Sequence, residues 1–85
     1  MPEKRQLTLR QMTSGQTGTI VQMLGGHGLV RRLAAMDIRP GKKITKMSSM
    51  PFRGPVAIEV DNSQVAIGFG MARKIIVEVD ISRRT

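Results

Sequence analysis

The 85-residue sequence contains no cysteine, no tryptophan and no tyrosine, and it has one histidine and two phenylalanines. Without cysteine, the chain has no disulfide, thiolate metal site, iron–sulfur cluster or cysteine nucleophile. One histidine leaves little from which to build a zinc site or a Ser/His/Asp triad. Two aromatic residues cannot tile the platforms that bind single-stranded nucleic acids or proline-rich peptides. These absences exclude cysteine-based chemistry and disfavour zinc sites, catalytic triads and aromatic binding platforms.

Long apolar runs are also absent, since no segment approaches the roughly 18 to 20 residues that span a bilayer. The first six residues, Met1 to Gln6, lack the apolar stretch of a signal peptide. The glycine-rich segment Gly25 to Gly28 is not followed by the Lys-Ser/Thr of a phosphate-binding loop. We therefore expect a cytoplasmic protein that does not cross the membrane and does not itself bind GTP.

Positive charge is in excess, with 14 lysines and arginines against six acidic residues and a net charge of +8. Residues 1–6 and 82–85 hold four of the basic residues and one of the acids. We interpret residues 1–6 as a basic N-terminal tail, residues 7–81 as a single folded domain, and residues 82–85 as a basic C-terminal tail.

Hydrophobic periodicity predicts a mainly β domain of about five strands with one short helix between the first two. The strands are Thr19 to Leu24, Lys43 to Ser49, Val56 to Val60, Gln64 to Ile67 and Ile75 to Val79. Leu29, Leu33 and Met36 recur at helical spacing, and Asp37 is placed to end that helix in a left-handed conformation. Such elements fit a small closed or nearly closed β-barrel. The predicted core is Ile20, Leu33, Ile44, Ile58, Val60, Ile67 and Val77.

Ordered blocks of glycine, proline and aliphatic residues run along most of the chain. They are Gly15-x-x-Gly18-x-Ile20, Leu29-x-x-Arg32-Leu33-x-x-Met36-x-Ile38-x-Pro40-Gly41-x-x-Ile44, Gly54-Pro55-Val56-x-Ile58-x-Val60, Val65-Ala66-Ile67 and Ala72-x-x-Ile75-x-Val77. This ordered set, from about Leu7 to Val79, closely resembles the FeoA family of bacterial ferrous iron uptake. Asp37 departs from the family, which usually has glycine there.

The resemblance implies an SH3-like barrel and a non-enzymatic accessory role in iron and transition-metal homeostasis. It also implies a partner, the membrane transporter FeoB, whose cytoplasmic portion contains a GTP-binding domain. The family has no agreed catalytic or ligand residues, so the resemblance transfers no site to this chain.

Basic residues cluster in and just after the predicted helix. They are Arg31, Arg32, Arg39, Lys42, Lys43 and Lys46. We interpret this cluster as a docking surface for an acidic partner, with ordinary solvation of a charged face as the alternative. Phe52, beside Arg53 in a loop rich in proline and glycine, is a candidate anchor for that contact, or else a cap on the barrel. The expected partner-binding residues are Arg31, Arg32, Arg39, Lys42, Phe52 and Arg53.

Metal binding has weaker support. His27 is a candidate ligand for Fe(II) or another divalent metal, although a lone histidine in a glycine-rich turn is more often a surface residue. Methionines Met23, Met36 and Met47 are better explained as core filling than as soft-metal ligands. The pairs Glu59/Asp61 and Glu78/Asp80 each project from one face of a strand and indicate solvated outer surface. No cofactor is expected.

Two other functions remain open at this stage. The chain resembles the SH3-like domain of iron-dependent repressors, so it could be a detached regulatory domain. Its net charge of +8 also fits a small nucleic-acid-binding barrel, although the scarcity of aromatics argues against stable nucleic-acid binding. A weak homo-oligomer is also compatible with the sequence.

Overall fold

Six β-strands form the framework of the computed structural model, which describes residues 3–49 and 54–80. The strands are β1 Lys4–Thr8, β2 Thr17–Met23, β3 Lys43–Ser49, β4 Val56–Val60, β5 Ser63–Ile67 and β6 Ile75–Asp80. The helices are α1 His27–Ala34 and the single-turn α2 Phe69–Ala72, and Leu9–Gln11 forms a 3₁₀ turn. The mainly β class and the helix between the first two predicted strands are therefore confirmed.

The strands pair antiparallel in the order β1-β6-β2-β3-β4-β5. No ladder joins β1 to β5 within the residues that the structure describes, so the sheet is open rather than closed. Strand β1 is a sixth strand that was not predicted from the sequence. Lys4, Arg5 and Gln6 were assigned to an N-terminal tail, but they pair with Asp80, Val79 and Glu78 of β6. The tail assignment is wrong for these residues because backbone pairing, not side-chain hydrophobicity, holds an edge strand in the sheet.

The core lies on the inner faces of the strands and against α1. All seven predicted core residues are buried, and none exposes more than 2% of its surface. Gly18 lies within this packing, because a Cβ there would overlap the side chains of Val77 and Val79 on β6. Glycine at this position therefore allows β2 to approach β6 closely.

Helix α1 ends as the sequence predicted. Asp37 has a φ of 65°, which is the left-handed region. Its N–H donates to the carbonyl of Ala34 at 2.9 Å, and the N–H of Ile38 donates to the carbonyl of Leu33 at 3.0 Å. This is the two-bond Schellman arrangement, and the fully buried Ile38 supplies its hydrophobic contact.

Of the three methionines predicted to fill the core, Met23 packs against it and the other two do not. Met36 and Met47 expose 40% and 39% of their surface, so neither fills the core. Met36 follows the last turn of α1, and Met47 lies where the register of β3 shifts against β4. Among the methionines in the described part of the chain, Met12 is the buried one, at 3% exposure.

Lys46 on β3 is buried, with 3% of its surface exposed. The basic cluster predicted from the sequence included Lys46, and that part of the prediction is wrong. Its Nζ donates to the carbonyl of Arg10 at 3.0 Å and to the carbonyl of Met12 at 2.5 Å. Burial lowers the pKa of Lys46, and the nearby positive charge of Arg10 lowers it further. These two hydrogen bonds therefore attach the 3₁₀ turn and Met12, the residue after it, to β3.

We expect Leu33→Ala to lower the free energy of unfolding by roughly 2 to 5 kcal/mol, because it opens a cavity between α1 and the sheet. Chemical denaturation measures the loss. Arg31→Ala, on the exposed side of the same helix, is the control and should change stability by less than about 0.5 kcal/mol. Equal effects of the two substitutions would contradict the packing described here.

Lys46 should make stability depend on pH in the alkaline range. Because its pKa is lower in the folded protein than its ordinary 10.5, the unfolded chain binds more protons between those two values. The cost of the buried charge is fully present below the folded-state pKa and is relieved as the pH rises toward 10.5. Between about pH 7 and pH 10, the free energy of unfolding of the wild type should therefore rise relative to that of Lys46→Met. A difference between the wild type and Lys46→Met that does not change with pH would refute the assignment.

Candidate docking surface

Helix α1 exposes two arginines to solvent. At 100° per residue, Leu29 and Leu33 share the inner face, and Arg31 lies opposite them. Arg32 lies about 80° from the centre of the inner face, at the edge of the apolar stripe. Leu33 is fully buried and Leu29 packs against the core, which holds the helix in a fixed orientation. Both arginines are exposed, and neither forms an ion pair with an acid in residues 3–49 or 54–80. Their guanidinium groups are therefore available to a partner.

The basic residues after the helix are partly engaged. A terminal nitrogen of Arg39 lies 3.4 Å from a carboxylate oxygen of Asp37. The Nζ of Lys42 donates to the carboxylate of Asp61, at the turn between β4 and β5. These contacts neutralise part of the positive charge of Arg39 and Lys42. Arg31 and Arg32 therefore contribute a larger share of the unpaired positive charge than the sequence predicted.

Backbone bonds fix the turn that bears Arg39 and Lys42. The N–H of Ile20 donates to the carbonyl of Lys42 at 2.8 Å, and the N–H of Gly41 donates back to the carbonyl of Ile20 at 2.7 Å. The turn is thus an extension of the β2–β3 pairing. We use the name basic surface for five residues of α1 and of the segment that follows it, namely Arg31, Arg32, Arg39, Lys42 and Lys43.

Four of the six predicted partner-binding residues lie in the described part of the chain, where Arg31, Arg32 and Arg39 are exposed and Lys42 is half-buried. Phe52 and Arg53 lie outside the described residues. Lys43 is exposed at the start of β3 and adjoins the basic turn. The anchor assigned to Phe52 therefore stays a prediction from sequence.

His27 is the first residue of α1 and its side chain is exposed. In the described ranges, no group of three or more histidine, aspartate or glutamate residues is arranged to hold a metal ion. Two of the carboxylates considered as ligands contact lysines instead: Asp61 contacts Lys42, and Oε1 of Glu78 lies 4.0 Å from Nζ of Lys4. The geometry gives His27 no partner ligand from these acids.

A depression of about 360 Å³ lies on the outer face of the sheet. Its lining combines the hydroxyls of Thr17 and Thr19 with two lysines, Lys4 and Lys43, and two acids, Glu78 and Asp80. The two signs of charge balance, so the depression selects neither an anion nor a cation. Lys43 joins its rim to the basic surface.

One aromatic contact was not predicted from the sequence. The guanidinium of Arg10 stacks over the ring of Phe69 at 4.0 Å from the centroid and joins the 3₁₀ turn to α2. The two residues are 59 positions apart, so no local pattern predicts their contact. Phe69 is thus covered by a cation rather than presented as a flat stacking surface.

The described part of the chain contains no helix long and apolar enough to cross a membrane.

Comparison with known proteins gives consistent results. Residues 7–79 match the FeoA domain family. A Methanocaldococcus jannaschii protein named Fe(2+) transport protein A is 36% identical over 64 residues, which are 75% of this chain and 76% of that protein.

Solved structures share the fold. The crystal structure of an iron uptake regulatory protein, FeoA, has a TM-score of 0.82 at 34% identity and covers 91% of this chain and 100% of its own. A manganese-dependent transcriptional repressor has a TM-score of 0.78 at 23% identity and covers 95% of this chain but 44% of its own, which shows likeness of fold alone. Since the family match extends from residue 7 to residue 79, the chain belongs to the FeoA family of ferrous iron transport proteins.

Proposed function

We propose that the chain is a non-enzymatic accessory protein of ferrous iron uptake that acts in the cytoplasm by docking onto the cytoplasmic portion of the FeoB transporter. The observation that carries this proposal is the pair of exposed arginines, Arg31 and Arg32, on a helix whose inner face is fixed in the core. Family membership supplies the transport context, and the exposed charge supplies the means of contact.

Arginine suits such a contact for physical reasons. Its guanidinium is planar, stays charged at all physiological pH values and binds carboxylates through two parallel hydrogen bonds. Because α1 is held by Leu33 and by the cap at Asp37, the positions of the arginine backbones are set before binding. Less conformational entropy is lost on docking, and we infer an acidic surface on the partner.

The docked chain would act by differential affinity for the conformations of the transporter. A protein that binds one conformation more tightly shifts the equilibrium toward it, and it needs no chemistry of its own. Phe52 would add an apolar anchor beside the charged contact, with Arg53 next to it. In this arrangement, the basic surface would set the association rate and Phe52 would set the dissociation rate.

We expect Arg31→Glu/Arg32→Glu to slow association with the cytoplasmic portion of FeoB by about tenfold or more at low salt, because reversed charge removes electrostatic steering. Surface-binding kinetics measure the rate. The wild-type association rate should fall as salt rises, since screening acts beyond about 8 Å at physiological ionic strength.

The matched control is Arg5→Glu/Arg73→Glu, which makes the same change in net charge at two exposed positions outside the basic surface. This control should slow association less than Arg31→Glu/Arg32→Glu does. Equal slowing by both variants would reduce the effect to net charge and refute the proposed surface.

The nucleic-acid alternative is tested in the same experiment. If the α1 variant binds the transporter like the wild type while a DNA or RNA control binds the wild type with a steep salt dependence, the nucleic-acid function gains support.

The likeness to metal-dependent repressors keeps a regulatory domain as a second candidate, supported by fold alone. A neighbouring gene for the transporter would favour the accessory role.

We expect no tight Fe(II) site in a single chain. The ligand chemistry is sparse, because the chain has no thiolate and one imidazole, and thioethers prefer softer ions. Isothermal calorimetry with Fe(II) under anaerobic conditions should give no stoichiometric binding in the micromolar range. A stoichiometric site abolished by His27→Ala would overturn this expectation and assign the metal to that imidazole.

A further inference from the structure

Strand β5 is a sheet edge. Its five residues pair in full register with β4, from Val60 with Ser63 to Val56 with Ile67. In the described part of the chain, no strand pairs with its other side, and no backbone hydrogen bond connects Ser63–Ile67 to another segment. The outer side of β5 is therefore open to pairing.

The β4–β5 turn determines which backbone groups face outward. Asp61 and Asn62 have φ values of 50° and 68°, which are those of a two-residue type I′ turn. Val60 and Ser63 therefore form a hydrogen-bonded pair, and alternation along the ladder directs Ser63, Val65 and Ile67 toward β4. The N–H and C=O groups of Gln64 and Ala66 consequently point away from the sheet.

The two edges of the sheet differ in their protection. Strand β1 carries Lys4 and Arg5, and charged side chains on an edge discourage pairing with another strand. Strand β5 has no charged residue and no proline, and the eleven residues 62–72 contain no charged side chain. In a chain with a net charge of +8, this neutral edge is where a second copy meets least repulsion.

The β5 sequence is also self-complementary. About a two-fold axis at Val65, antiparallel pairing places Gln64 opposite Ala66 of the second copy, and both residues have their backbone groups directed outward. The two such pairs form four hydrogen bonds. A shift by one residue to centre on Gln64 would place Ala66 opposite Asn62, which has a left-handed backbone and cannot continue a ladder. A shift to centre on Ala66 would place Gln64 opposite Gly68, whose carbonyl already accepts from the N–H groups of Met71 at 3.1 Å and Ala72 at 2.8 Å. The register centred on Val65 is therefore favoured over both neighbouring registers.

We propose that the chain forms a weak symmetric dimer in which β5 pairs antiparallel with β5 of a second copy about Val65, making one continuous sheet of twelve strands. The contact is small and formed mainly by backbone, so the association is concentration-dependent. Because two chains of charge +8 repel each other, salt strengthens it. The inference is independent of the proposed function, since it needs neither the transporter nor the basic surface.

A cysteine crosslink tests the register, and the natural absence of cysteine makes any introduced thiol unique. In the proposed dimer, position 65 faces its own copy in a pair without hydrogen bonds, with Cα atoms about 4.5 Å apart, which a disulfide can bridge. Position 63 lies four residues out of register with its copy, about 13 Å away. Under mild oxidation, Val65→Cys should form covalent dimers at least about tenfold faster than Ser63→Cys.

The edge itself is tested with Ala66→Lys, which adds a charge at an exposed position of β5. It should abolish the Val65→Cys crosslink and the concentration-dependent dimer seen by analytical ultracentrifugation of the otherwise wild-type chain. Ser48→Lys adds the same charge at an exposed position of β3 and should leave both intact. Circular dichroism verifies that each variant is folded.

Equal crosslinking at positions 63 and 65, or a crosslink that survives Ala66→Lys, would refute the pairing. A wild-type chain that stays monomeric at millimolar concentration and high salt would refute it as well.

Discussion

The insertion of β6 between β1 and β2 is the contact on which the rest of the structure depends. It joins Gly18 to Val79 across 61 positions of the sequence, and β1 to the same strand from the other side. Everything between β2 and β6, including α1 and the β3–β4–β5 meander, is thereby enclosed in one long loop. Closing so long a loop costs conformational entropy, which the apolar faces of β6 and its neighbours must offset.

Gly18 shows how tightly that contact is made. Side chains of Val77 and Val79 occupy the space in which a Cβ at position 18 would lie. Both valines are buried and belong to the same core as Leu33 and Ile58. The close approach of β2 to β6 and the packing of α1 are therefore parts of one arrangement, and the orientation of the helix arginines follows from it.

Features that depend on neighbouring residues were predictable from the sequence. The alternation of Val56, Ile58 and Val60 predicted a strand with one buried face, and all three residues are at most 2% exposed. Asp37 followed by Ile38 predicted a left-handed helix end with an apolar contact, which the backbone adopts. In each case the physical cause lies within six residues of its effect.

Features that depend on distant partners were not predictable. Strand β1 has a charged sequence because edge strands need little hydrophobicity, so its pairing with β6 leaves no periodic signal. Lys46 looks like a surface lysine, but its two carbonyl partners belong to residues 34 and 36 positions earlier. The engagement of Lys42 by Asp61 is equally non-local and redistributes charge within the candidate site.

Asp61 lies where the two proposed surfaces approach each other in the fold. Its backbone forms the turn that sets the register of β5, and its carboxylate contacts Lys42 of the basic surface. That carboxylate is more than half exposed, so the ion pair contributes at most about 1 kcal/mol and does not lock the surfaces together.

The two surfaces share no residue, because one uses α1 and its following turn, whereas the other uses the outer edge of β5. A dimer formed through β5 would therefore present two copies of Arg31 and Arg32. Two linked docking surfaces raise the effective concentration of the second once the first has bound. A weak dimer would then matter most where neighbouring sites on the proposed partner lie close enough to be bound together.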